Sequence, residues 1–78
     1  MRDEEIARIA VAAIKIEASR KPDERIYIGD RVFTFLEIAE AVDRGDPFIV
    51  EKFLQPFLER LKKSEAFRMK VLKLVGGT

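Results

Sequence analysis

"DPFIVEKFLQPFLERL", residues 46–61, carries more apolar side chains than one helix face can use, and it holds a proline in its middle. Val50, Phe53, Leu54, Phe57, Leu58 and Leu61 recur at three- and four-residue steps, so the stretch reads as a helix with a core-facing stripe. Asp46 is placed to cap its amino end, with Pro47 at the first helical position, where a missing N–H is no loss. Pro56 is a different matter. Inside a continuous helix it has no donor and its ring crowds the carbonyl of Lys52, a cost of roughly 3 kcal/mol. A kink at Pro56, or a break with Gln55 at the junction, is expected. Phe48 and Ile49 widen the apolar stripe well beyond what a surface helix requires.

The segments on either side take their shape from this helix, since each must help to cover it. On the carboxyl side, Ser64 and Glu65 suit a helix restart, and Phe67, Val71, Leu74 and Val75 then fall on one side of a short fourth helix. A single bent helix from Pro47 to Val75 would have to run its stripe through Ser64, Glu65 and Arg68, so the break is preferred. On the amino side, "TFLEIAEAVDRG" opens on a capping box, with Thr34 as cap and Glu37 reaching back, and closes on Gly45 as a left-handed stop. Before it, "RIYIGDRVFTF" switches to a period of two. Gly29-Asp30 makes a two-residue type II′ turn, which sets Ile26 opposite Phe33 and turns Ile26, Ile28 and Phe33 to the core. The first helix, "RDEEIARIAVAAIKIEASR", shows Ile6, Ile9, Ala10, Ala13 and Ile14 at helical spacing, acids at its start and Arg20 and Lys21 at its end. Pro22 stops it.

The expected fold is therefore mainly α with a minor β part: helix, β-hairpin, helix, helix, helix, the third helix kinked at Pro56. It occupies one domain over residues 1–75, with the hairpin at about 25–34 and a flexible tail at 76–78. Seventy-eight residues lie near the lower limit for a self-sufficient core, and domains of this size usually need a staple. There is no Cys for a disulfide and no His for the usual transition-metal sites, which leaves a partner chain. The charges nearly cancel at a formal +1, but not evenly. From Arg60 onward six basic residues face one acid, Glu65, while the preceding part has nine basic residues against thirteen acids. The acidic start does not look like a signal peptide, and no apolar run approaches the roughly 20 residues that span a bilayer, so a cytoplasmic location without membrane contact is expected. Absence of Asn and Cys together with 37% charged residues gives the composition a thermophile-like cast.

The chemistry is mostly read from what is missing. General acid–base work at neutral pH most often recruits His, and covalent catalysis recruits Cys or a base-activated Ser, and no such set can be assembled here. Thr34 and Ser64 are accounted for as caps, and the carboxylate pair Glu37 and Glu40 as a solvated helix side. No phosphate loop, dinucleotide fingerprint or calcium loop occurs, and no cofactor, catalytic residue, metal ligand or small-molecule substrate is expected. The chain reads as non-enzymatic.

Two functions of different class remain. The first is a protein–protein interaction module that self-associates, as a homodimer or larger, through Phe48, Ile49, Phe53 and Phe57, with the hairpin edge as a secondary pairing surface and another protein as an alternative partner. The second is nucleic-acid binding. "FTFLEIAEAV" resembles the opening helix of helix-turn-helix domains, with Ile38, Ala39 and Val42 at the apolar and small positions. That resemblance covers about twenty residues within segment 34–54 and implies a reading helix at "DPFIVEKF", where acids and aromatics replace the Arg, Lys, Asn or Gln that read bases. Asp43 also stands where the turn glycine is usual. The basic carboxyl segment, with Lys62, Lys63, Arg68, Lys70 and Lys73, offers possible phosphate contacts instead.

Overall fold

The computed structural model describes residues 2–76, and the expected tail residues Gly77 and Thr78 lie outside them. Helix α1, Asp3–Arg20, starts where the Glu5 carboxylate accepts from the Arg2 N–H at 3.2 Å and ends at Lys21, just before Pro22. Strands β1, Arg25–Ile28, and β2, Arg31–Thr34, form an antiparallel hairpin in the expected register, Ile26 opposite Phe33 and Tyr27 opposite Val32. Gly29 adopts φ +65°, which the two-residue turn requires and which only glycine supplies without strain. The hairpin turns Ile28 inward, half-buries Ile26 and Phe33, and leaves Tyr27 and Val32 in water.

Helix α2, Phe35–Asp43, begins on the capping box foreseen from its sequence: Thr34 Oγ1 accepts from the Glu37 N–H at 3.1 Å and Glu37 accepts from the Thr34 N–H at 2.8 Å. Its far end closes on Gly45 at φ +69°, with the Asp46 N–H donating to the Ala41 carbonyl and the Gly45 N–H to that of Val42. This is the Schellman arrangement, and it hands the chain directly to the next cap, where Asp46 accepts from the Ile49 N–H at 3.1 Å.

The third helical run covers residues 47–63 in three parts: α3, Pro47–Ile49; a π-helical turn, Val50–Leu54; and α4, Gln55–Lys63. The kink at Pro56 takes the form of that wide turn. In it the Gln55 N–H donates to the Val50 carbonyl five residues back, so the backbone is already widened when it meets the proline ring. The run ends at Ser64, which is extended (φ −111°, ψ 108°), and α5, Glu65–Val75, restarts with Ser64 Oγ accepting from the Phe67 N–H at 3.1 Å. The expected break is therefore present. Arg68 reaches back over it and donates to the Leu61 carbonyl at 2.9 Å, satisfying an orphan acceptor at the end of α4.

Two apolar clusters make the core. One gathers Ile14 and Ala18 of α1, Ile28 of β1, the α2 residues Ile38, Ala39 and Ala41, and Ile49; the other gathers Ile6, Ala10 and Ala13 of α1 with Leu61 and Val71. Leu54 and Phe57 touch both and join them. No helix among the described residues is long and apolar enough to cross a membrane.

Candidate functional site

The excess of apolar side chains in residues 46–61 is distributed in three ways. Ile49 is 1% exposed and belongs to the first cluster. Its place at a partner interface is therefore corrected: the tight Gly45–Pro47 corner, with the Asp46 cap bonded to the Ile49 N–H, starts the helix so that Ile49 turns towards Ile38 and Ala41. Phe48 is half-buried and is sheltered by the hairpin, its ring 6.0 Å from that of Phe33 and covered by the Arg31 guanidinium at 4.3 Å. Arg31 also lies 5.0 Å from the Phe33 ring, so one cation roofs both aromatics. Only Phe53 and Phe57 are left to a different fate.

They line an apolar cleft of about 400 Å³ at the seam between the two clusters. Ala13, Ile14 and Glu17 of α1 and Phe35 at the start of α2 line it. The rest of the lining comes from Lys52, Phe53, Pro56, Phe57 and Arg60 and from Phe67, Val71 and Leu74 of α5. Phe53 in the π turn and Phe57 in α4 set their rings 6.3 Å apart at 51°. Phe57 meets Phe67 edge-on at 5.8 Å.

The charged groups stand on the rim. Arg60 lies over the Phe67 ring with its guanidinium carbon 4.0 Å from the centroid, and among the described residues it makes no ion pair. Among the described residues Lys52 pairs only with its neighbour Glu51, at 3.5 Å and well exposed. Glu17, the one acid on the cleft, is 3.5 Å from Arg20. No polar or charged residue among those described is buried, and the cleft's charged lining residues are Glu17, Lys52 and Arg60.

The five residues considered for phosphate contact do not form one surface of available charge. Arg68 turns its Nη1 to the carbonyls of Leu61 and Lys62, Lys62 pairs with Asp3 at 3.5 Å and Lys63 with Glu59 at 3.5 Å. Lys70 and Lys73 stand exposed on α5. Sequence reasoning found Phe53 and Phe57 but missed Phe35, Phe67, Lys52 and Arg60 as parts of one site. Phe35 and Phe67 carried a visible signal as apolar positions of their helices. Arg60 over Phe67 carried none, because the pair spans the break at Ser64, where helical spacing no longer applies. No protein-family model, curated protein or solved structure matches this chain.

Proposed function

We propose that this chain is a non-enzymatic interaction module that self-associates through the face carrying the cleft. One observation supports the reading above others: a single copy leaves open an apolar hollow of about 400 Å³ walled by Phe35, Phe53, Phe57 and Phe67. Full burial of a large apolar side chain is worth roughly 1.5–3 kcal/mol, and half-buried Phe53 and Phe57 have realised only part of that. The absence of Cys and His removes two of the staples that small domains rely on, and a second copy supplies another. Sedimentation equilibrium and light scattering at micromolar concentration test the reading. The expected species is a dimer or larger, and Phe53→Glu is expected to be smaller while keeping its helical circular dichroism. A wild-type chain that stays monomeric up to millimolar concentration overturns it.

A further inference from the structure

Going beyond self-association, we propose that the cleft is a binding site for a small anionic amphiphile: a free aliphatic carboxylate whose tail lies against Phe53, Phe57 and Phe67 and whose head meets Arg60. Size is the first argument. A cavity of about 150 Å³ suffices for a benzene molecule. At about 400 Å³ the cleft is well above that and falls in the usual range for ligand pockets, roughly 300–1,000 Å³. Its shape is concave and its walls are aromatic and aliphatic, which suits a flexible alkyl tail.

Charge gives the second argument and selects the head. A guanidinium stacked on an aromatic ring uses its face in the stack and keeps its N–H donors in the ring-parallel plane, where a carboxylate can take two of them side by side. The Arg60 guanidinium carbon lies 4.0 Å from the Phe67 ring centroid, and no acid among the described residues has claimed it. Lys52 adds a second basic group to the lining, paired with Glu51 at 3.5 Å, just as Glu17 is paired with Arg20 at 3.5 Å, so Arg60 is the lining charge without an ion pair among the described residues. A cationic head would therefore meet Arg60 unfavourably, and a neutral one would leave the Arg60 fork unused. Because the guest and a second copy would cover the same rings, each is expected to weaken the other.

Calorimetric titration of the full chain with decanoate, kept below its micelle concentration, tests the proposal against decyltrimethylammonium, which has the same tail and the opposite charge. Decanoate is expected to saturate one site per chain and to bind at least about tenfold more tightly than the cation. Arg60→Met keeps an aliphatic stem over Phe67 and is expected to lower decanoate affinity about tenfold, as loss of a charged hydrogen-bond partner implies, while leaving the cation bound no more weakly than before. Should that variant fail to fold, Lys52→Met, at an exposed position, is expected to lower decanoate affinity severalfold. Equal binding of both amphiphiles, or no saturable binding of decanoate, overturns the proposal. The two readings fail separately: a strict monomer that binds decanoate refutes only self-association, and an oligomer indifferent to decanoate refutes only the ligand.

Discussion

Thr34 and Glu37 exchange hydrogen bonds at 3.1 and 2.8 Å, and between them they satisfy two backbone donors that a helix start would otherwise leave to water. Asp46 and Ser64 make the forward half of that exchange at the next two starts, each accepting from the N–H three residues on. Thr34→Ala is expected to lower stability by about 1 kcal/mol in urea denaturation, and Thr34→Ser to restore most of it. All three caps were readable from the sequence, because a cap acts over three residues and depends on side-chain type alone. The arginines were not. Arg31 on Phe48, Arg60 on Phe67 and Arg68 on the Leu61 carbonyl each find their partner across a turn or a helix break. A long, flexible cation has many places to go, and only the packed chain chooses one.

For the individual elements, Pro56 is the instructive case. A proline in a straight helix costs roughly 3 kcal/mol, and the sequence alone called for some local distortion. The chain answers by opening the turn ahead of the ring instead of breaking the helix, so α3, the π turn and α4 run on without a gap. Pro56→Ala is therefore expected to change stability by less than about 1 kcal/mol and to leave helical content unaltered by circular dichroism. A gain near 3 kcal/mol would mean that the ring still clashes and that the wide turn has relieved nothing. The hairpin behaves as its alternation demanded, with Ile28 inward and Tyr27 outward, and it gains support by covering Phe48. A two-stranded ribbon needs such a surface, since alone it is marginal.

In the molecule as a whole, the two apolar clusters could in principle melt apart, one around Ile38 and Ile49 and the other around Leu61 and Val71. Leu54 and Phe57 pack against both, and α1 contributes buried residues to both, so neither cluster has a surface of its own to retreat to. One cooperative transition is expected, with calorimetric and van't Hoff enthalpies in agreement. Two resolved transitions would show that the seam carrying the cleft is also a boundary between independent units. Salt should matter little to this stability. The ion pairs Lys15–Asp43, Arg44–Asp46, Lys62–Asp3 and Lys63–Glu59 are solvent-exposed at one or both members, and such pairs are worth little each.

The sequence by itself determined the helix starts and stops, the hairpin and its register, the break at Ser64 and the presence of a distortion at Pro56. These depend on groups a few residues apart, where backbone geometry leaves few alternatives. Only the tertiary structure decided which of the crowded apolar residues would be sheltered: Ile49 by the core, Phe48 by the hairpin and Arg31, Phe53 and Phe57 by no more than the edge of a cleft. Hydrophobic burial is non-directional, so a pattern of apolar residues states that they must be covered without stating by what. The cover is chosen when elements distant in sequence close on one another, and here they close incompletely.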